Sequence, residues 1–267
     1  MKAIDEAADI QALVRTGFGS LDGAAYVLLR IADAAKARIW LRGLDIASVA
    51  AIEAETLARA LQIAFTTAGL RALGLGEATV AGFAPEFVEG LAGSERRSHR
   101  LGDAGEDAPE HWEWGHDDAE PHVLIAIFAS MVTIDDEATA LAGAAIAAGC
   151  TLLRINRTSD MAGREPFGFA DGLSQPALDW DGAITPGGAV DRDYRNGIAA
   201  GEVLIGHPNE YGLIAEGPSI ETPDGRRDLG RNGSYLVYRQ LAQDVRGFWR
   251  WTRETAGANA VGFAEVM

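Results

Sequence analysis

The sequence has little of three things: cysteine, positive charge and long apolar runs. Its single cysteine, Cys150, rules out an intrachain disulfide. Lys and Arg number 23 against 39 Asp and Glu, and the resulting formal net charge of −16 repels nucleic-acid phosphates and anionic lipid surfaces. No run approaches the roughly 20 apolar residues of a membrane-spanning helix, and the first residues lack the apolar core of a signal peptide. We therefore expect a cytoplasmic protein with no nucleic-acid or membrane partner.

Apolar residues are nevertheless abundant. They make up 48% of the 267 residues, enough for one large or two ordinary globular domains. Cys150 lies between an alanine-rich helical run and an apolar stretch, which predicts a buried small hydrophobic residue rather than a ligand.

The first part of the chain alternates between strand and helix patterns. Ala25–Ile31 is a β-prone run, and Asp33 then caps an amphipathic helix to about Leu44, with Ile39, Trp40 and Leu41 on its inner face. A second set follows: a strand at Pro121–Phe128, a helix at Ile134–Ala148 ended by Gly149, and a strand at Thr151–Asn156. Leu57–Leu75 is predicted to be helical around Ala64–Leu70, and Ser94–Glu120 to be a polar surface excursion. This order suits a split βαβ sandwich.

Gly and Pro become frequent after Asn156, which indicates a domain crossing. We predict one domain over residues 1–160 and a second over 161–267. Gly201–Gly206 and Ser234–Arg239 are strand candidates, and Gln243–Thr252 is a helix candidate. These elements are too few for a closed second core.

The segment Phe167–Pro176 contains one acid, Asp171, among apolar residues, flanked by Gly168 and Gly172. Glycines allow a sharp bend that brings a carboxylate close to whatever the loop covers. An Asp-Gly pair is also a common turn signal, so the residues alone favour a structural turn over a catalytic acid.

This segment resembles the Gly-x-x-Asp-Gly motif of the dye-decolorizing haem peroxidases in their long form, in which Ser and Pro follow at similar places. Other stretches resemble the same family in the same order, so that the resemblance covers nearly the whole chain: Asp9–Val14 with Gly17 and Gly19, Leu29–Arg30, Ala64–Gly74, Phe87 with Gly90, Leu101–Asp103, Gly201–Gly212 and Leu229–Arg239.

The resemblance implies an α+β fold of tandem ferredoxin-like domains, of the dimeric α+β barrel type, with haem b held in the second domain. It implies that Asp171 stands over the distal face of the haem, takes a proton from hydrogen peroxide and returns it to the leaving oxygen. Phe169, Gly172, Leu173 and Ser174 would border the haem pocket. Since an ordinary aspartate has a pKa of about 3.9 and must be ionised to act as a base, an acidic pH optimum is expected.

The family's proximal His and distal Arg lie beyond the stretch that this chain matches. The resemblance therefore implies the amino-terminal portion of a split peroxidase, whose second ferredoxin-like domain is incomplete here and is completed by a second polypeptide that supplies both residues. Hydrogen peroxide and small aromatic reductants would be its substrates. The alternatives are a haem-free binding or scaffold subunit and a haem deferrochelatase.

Several other residues have a competing structural interpretation. His207 alone among five histidines follows the motif, but it lies in a turn-like segment and is a poor candidate for an iron ligand. Arg231 is predicted to position its loop or pair with Asp228 rather than to act in catalysis. His122 is predicted to be a strand-edge or core residue. His111 and His116, together with Glu113, Asp117 and Asp118, are more typical of a solvated acidic loop than of a metal site. Trp249 and Trp251 are more typical of core packing than of an electron path. No metal ligand is assigned to this chain.

Overall fold

The computed structural model describes residues 6–54, 56–159, 161, 163–170, 175–181, 197–223, 225–259, 261–262 and 264. The chain forms two compact units, one of Met1–Thr158 with Pro176–Tyr235 and one of Ser159–Gln175 with Leu236–Met267. The units alternate along the sequence. The division at residue 160 that the composition predicts stays a prediction.

The first unit is built on a four-stranded antiparallel sheet. Its strands are β1 (Gly23–Ile31), β2 (Ala60–Phe65), β3 (Val123–Ala129) and β4 (Cys150–Arg157), in the order β2-β3-β1-β4. One helical segment separates β1 from β2 and another separates β3 from β4, which is the split βαβ arrangement of a ferredoxin-like fold. The predicted α+β class is confirmed.

Among the described residues the α-helices are α1 (Ala34–Arg42), α2 (Val49–Ala54), α3 (Thr67–Ala72), α4 (Glu77–Val80), α5 (Pro85–Glu89), α6 (Glu95–Leu101), α7 (Ile134–Ala147) and α8 (Val245–Ala256). The Asp33 carboxylate caps α1 by accepting hydrogen bonds from the backbone N–H groups of Ala35 and Lys36. No helix in the described ranges is long and apolar enough to cross a bilayer.

One face of the sheet packs against α1 and α7. Trp40 and Leu41 of α1 contact this core as predicted, but Ile39 is 74% exposed, so its placement on the inner face was wrong. Cys150 is buried in the same core, and burial raises the pKa of its thiol. The prediction of a buried small hydrophobic residue is confirmed.

The prediction of a helix around Ala64–Leu70 was wrong for its first part. β2 occupies Ala60–Phe65, where Leu61, Ile63 and Phe65 alternate towards the core and the backbone pairs with β3. The Thr66 hydroxyl then caps α3 by accepting a hydrogen bond from the Gly69 N–H. A six-residue apolar run fits either period, and pairing with a distant strand decided the outcome.

The outer edge of β2 is covered by a side chain. Gln11 donates from Nε2 to the carbonyl of Ile63 (2.9 Å), and its Oε1 accepts from the Ile63 N–H (2.8 Å). One glutamine amide thus pairs with Ile63 as a neighbouring strand would. The Gln11 amide therefore occupies backbone groups of an edge strand that could otherwise pair with a strand of another chain.

Both strand candidates of the later sequence lack a strand in the structure. Gly201–Gly206 begins in a 3₁₀ turn at Ala200–Glu202, with Leu204 buried, and in the described part of the chain Ser234–Arg239 lies in no strand ladder. The described strands of this part are short: β5 (Ala177–Leu178) pairs in parallel with β6 (Gly197–Ile198), and β7 (Ser219–Thr222) pairs antiparallel with β8 (Gly225–Asp228). The predicted helix at Gln243–Thr252 is confirmed as α8.

Candidate functional site

A tight turn precedes the predicted catalytic acid. The Glu165 carboxylate accepts hydrogen bonds from the backbone N–H groups of Phe167 (2.8 Å) and Phe169 (2.6 Å), and the Glu165 N–H donates to the carbonyl of Phe169 (3.0 Å). The Gly168 N–H also donates to the Glu165 carbonyl (2.9 Å). One side chain therefore fixes two amides of a loop that has no regular ladder to satisfy them.

Gly168 has a φ of +100°, a conformation that residues with a Cβ rarely adopt. The Arg164 guanidinium donates to the Gly168 carbonyl (2.7 Å), and Arg164 forms an isolated β-bridge with Ala170. The turn is thus closed at Ala170, one residue before Asp171.

Helix α8 packs aromatic rings against this turn within the second unit. The Trp249 indole lies stacked with the Phe169 ring (centroids 6.0 Å apart, 27° between planes) and donates from Nε1 to the Phe167 carbonyl (3.0 Å). Phe248 makes edge contacts with Phe167 (5.1 Å) and Phe169 (6.2 Å). Trp249 thus has the packing role that its helical spacing indicates, whereas Trp251 is 47% exposed, so the prediction of core packing was wrong for Trp251.

Of the five residues assigned by sequence, Phe169 is the one the structure describes. It is half-buried in the aromatic cluster of Phe167, Phe169, Phe248 and Trp249. Asp171, Gly172, Leu173 and Ser174 lie outside the described residues. Their roles at a haem pocket stay predictions.

Glu165 and Arg164 were missed by sequence reasoning. The local signal was an acid two residues before Phe167 and four before Phe169, a spacing at which a carboxylate reaches two amides of a turn. That signal has meaning only when the backbone bends as Gly168 allows.

His207 is buried, and its Nε2 lies 2.7 Å from Oδ1 of Asn232. The Asn232 amide nitrogen donates to the Glu6 and Asp9 carboxylates, so Oδ1 is the acceptor and His207 Nε2 the donor. This nitrogen therefore donates a hydrogen bond within the first unit, as expected for a structural histidine.

Arg231 forms a two-pronged ion pair with Glu6, through Nε (3.0 Å) and Nη2 (2.9 Å), and donates from Nη1 to the Gly206 carbonyl (2.8 Å). Arg231 and then Asn232 lower the pKa of Glu6 by hydrogen bonding to its carboxylate. Arg231 does position its loop, but its carboxylate partner is Glu6; Asp228 accepts from the backbone N–H groups of Gly230 and Arg231.

Two further histidines, His122 and His116, make side-chain hydrogen bonds. Ile31 N–H donates to Nδ1 of His122 (3.1 Å), and burial, followed by the charge of Arg30, lowers the pKa of this strand-edge histidine. His116 donates from Nε2 to the Trp112 carbonyl (2.8 Å). Across the described residues, no group of three or more His, Cys, Asp or Glu is arranged to hold a metal ion.

The fold is that of the dye-decolorizing peroxidases. The dye-decolorizing peroxidase of Auricularia auricula-judae superposes with a TM-score of 0.69 at 23% identity, covering 95% of this chain and 52% of that one. A dye-decolorizing peroxidase solved with 2,6-dimethoxyphenol gives a TM-score of 0.67 at 22% identity, over 92% of this chain and 52% of that one.

Sequence comparison gives the same result. The dye-decolorizing peroxidase msp1 of Mycetinis scorodonius is 27% identical over 206 residues, 74% of this chain and 35% of that protein. The multifunctional dye peroxidase DyP2 of an Amycolatopsis species is 29% identical over 244 residues, 86% and 48% of the two chains. No family model matches the chain. The resemblance to dye-decolorizing peroxidases is confirmed, and the chain spans about a third to a half of the length of these relatives.

Proposed function

We propose that this chain is one subunit of a split haem peroxidase that uses hydrogen peroxide to oxidise small aromatic compounds. The observation that carries the proposal is the shared fold with solved dye-decolorizing peroxidases along 95% of the chain. One of those structures is of a dye-decolorizing peroxidase with an engineered heme pocket, and another is of a complex with 2,6-dimethoxyphenol, which supports haem as cofactor and phenolics as reductants.

The described residues fit the haem-pocket side of such a site. Phe169 and its aromatic neighbours give an apolar surface of the kind that lines cofactor pockets, and hydrogen bonds to Glu165 and the Arg164–Ala170 bridge constrain the backbone up to Ala170. When bound, haem would supply the iron chemistry that activates the peroxide.

In this proposal the Asp171 carboxylate accepts a proton from one peroxide oxygen and returns it to the leaving oxygen. Such a proton transfer requires the carboxylate to be ionised first and within hydrogen-bond reach of both oxygens. The turn before Asp171 would help to position the carboxylate, because it restricts where the backbone of the next residue can lie. Proximal His and distal Arg come from the second polypeptide.

Two features support a partner chain. Leu236 (48%), Val237 (73%) and Leu241 (66%) expose apolar side chains in a stretch that forms no strand ladder among the described residues. Tyr211, Leu213 and Ile214 expose a second apolar group on a turn. A β-prone stretch and clustered apolar surface are both satisfied when another chain adds a strand.

The test is to express the chain alone and together with the product of the adjacent reading frame, and to record a haem Soret band and peroxide turnover. We expect both signals from the pair. In that pair Asp171→Asn should keep the Soret band and lower kcat/KM for hydrogen peroxide by ~10²–10⁴-fold, the usual contribution of a proton-transfer group.

Asp181→Asn is the matched control, because Asp181 also precedes a glycine and is exposed. It should turn over peroxide at the wild-type rate. A pair that binds no haem would instead favour a scaffold subunit, and an Asp171→Asn pair as fast as wild type would remove Asp171 from the mechanism. Release of iron-free porphyrin from haem would indicate deferrochelatase activity.

A further inference from the structure

A surface cavity in the first unit lies between α5 and α6. Its volume is about 360 Å³, and its lining is strongly charged: Glu86, Glu89, Ser94, Arg96, Arg97, Arg100 and Leu101. We call it the arginine cavity. Three of the lining residues are arginines, in a chain whose net charge is −16.

The charges in the arginine cavity are not all paired. Arg97 binds Glu89 through Nε (2.8 Å) and Nη2 (2.5 Å), and the Ser94 hydroxyl donates to the same carboxylate, so this pair is internally neutral. Arg96 and Arg100 are exposed and make no ion pair within the described part of the chain. Two positive charges against Glu86 therefore remain.

Arg96 and Arg100 lie four positions apart on α6, which places them on one face of the helix. Like charges at this spacing repel each other and weaken a helix, and an anion held between them would relieve that repulsion. The Arg97–Glu89 pair fixes the wall beside them, so the guanidinium groups sit on a preformed surface rather than a loose loop.

We propose that the arginine cavity binds a small molecule that carries a phosphate or carboxylate group, held by Arg96 and Arg100. Guanidinium groups form paired hydrogen bonds with such oxyanions. A cavity of this volume lies within the range of small-molecule sites. Because the whole chain repels anions, binding here would depend on these side chains rather than on general attraction.

The test is calorimetric titration of the full chain with inorganic phosphate and, separately, with citrate, at constant ionic strength maintained with chloride. Saturable binding of either probe supports the proposal, and the probe that binds tells whether phosphate or carboxylate is the preferred group. Absence of saturable binding by both probes overturns it.

Variants then assign the binding to the cavity. Arg100→Gln should weaken binding about tenfold, since it removes charge-assisted hydrogen bonds. Arg42→Gln is the matched control, because Arg42 is also an exposed arginine in the last turn of a helix, and it should leave affinity unchanged. Equal loss in both variants would show non-specific attraction and end the proposal.

Glu86→Gln gives a result of the opposite sign. It removes the carboxylate that repels an anion in the cavity, so binding should become several-fold tighter. A misfolded variant cannot produce that gain. Weaker or unchanged binding by Glu86→Gln would contradict the assignment to this cavity.

Discussion

At the scale of single residues, Glu165 controls the shape of the loop before Asp171. Its carboxylate accepts hydrogen bonds from two backbone amides, and Gly168 adopts a positive φ, which residues with a Cβ rarely adopt. Glu165 precedes Asp171 in the chain and is not part of the Gly-x-x-Asp-Gly motif. Its contribution is to position backbone, not to react.

We predict that Glu165→Gln loosens this turn. Its amide NH₂ group cannot accept a hydrogen bond, so one of the two amides loses its partner. A hydrogen bond to a charged group contributes ~1.5–3 kcal/mol, so whichever of the Phe167 and Phe169 amide protons loses its acceptor should exchange about ten- to a hundredfold faster. Hydrogen exchange read by NMR measures this directly. Glu216→Gln, at an exposed position in the other unit, should leave those rates unchanged; unchanged rates in Glu165→Gln as well would contradict the assigned role.

Glu6 gives a pH-dependent prediction. Hydrogen bonds from Arg231 and Asn232 lower its pKa below the ordinary 4.5, so its stabilising effect is complete above that value and is lost as pH falls through the lowered pKa. Glu6→Gln should therefore be less stable than wild type at pH 7, and the two should converge in acid.

Urea unfolding between pH 7 and pH 3 measures this convergence. The comparison variant is Glu110→Gln, an exposed glutamate on another short 3₁₀ turn. Substituting this exposed side chain should change the free energy of unfolding at pH 7 far less than Glu6→Gln does. A constant gap between wild type and Glu6→Gln would show that the ion pair adds nothing to stability.

At the scale of elements, the strands and helices with clear local patterns were predicted well. β1, β3 and β4 follow from short apolar, β-prone runs, and α1, α7 and α8 follow from helical spacing or from acidic residues at the helix start. β2 was missed because six residues fit two periods and its pairing partner lies about sixty residues away. The stretch Ser234–Arg239 shows the reverse case, since a strand-prone sequence becomes a strand only when a second strand is beside it.

In the candidate site, too, the sequence predicted local features and missed contacts between distant residues. Its motif carried the prediction for Asp171 and for Phe169, whose ring the structure places among aromatic neighbours. Contacts that join distant parts of the chain were beyond reach, as for Glu6 and Arg231, which are 225 residues apart. The sequence shows what a charged side chain can bind chemically, but it does not show which distant residue the side chain contacts.

Gln11 allows an element-scale test of how the edge of β2 is protected. Gln11→Ala removes both hydrogen bonds to Ile63 and exposes that part of the edge. Two such bonds of about 0.5–1.5 kcal/mol each predict a loss of roughly 1–3 kcal/mol in unfolding free energy, measured by chemical denaturation. Gln243→Ala, in an exposed stretch before α8, should cost far less. Equal stability of the two variants would mean that water replaces the Gln11 amide without cost.

At the scale of the whole molecule, one chain provides a ferredoxin-like sheet, an aromatic-backed loop and clustered exposed apolar residues. Many of its acidic side chains are exposed, and their like charges oppose non-specific association with anionic surfaces. In our proposal the peroxidase site is a property of the assembled pair, and only the pair can be assayed for it.

The alternation of the two units along the chain also sets an order of events during synthesis. The first unit is complete once Tyr235 has left the ribosome, but the segment Ser159–Gln175 packs with residues that follow it, including Trp249. Domains tend to fold as they emerge, so the rings of Phe167 and Phe169 must stay without their α8 partners while some seventy later residues are translated. A ribosome stalled before α8 should therefore hold a finished sheet and a Glu165 turn whose aromatic side chains are still open to solvent.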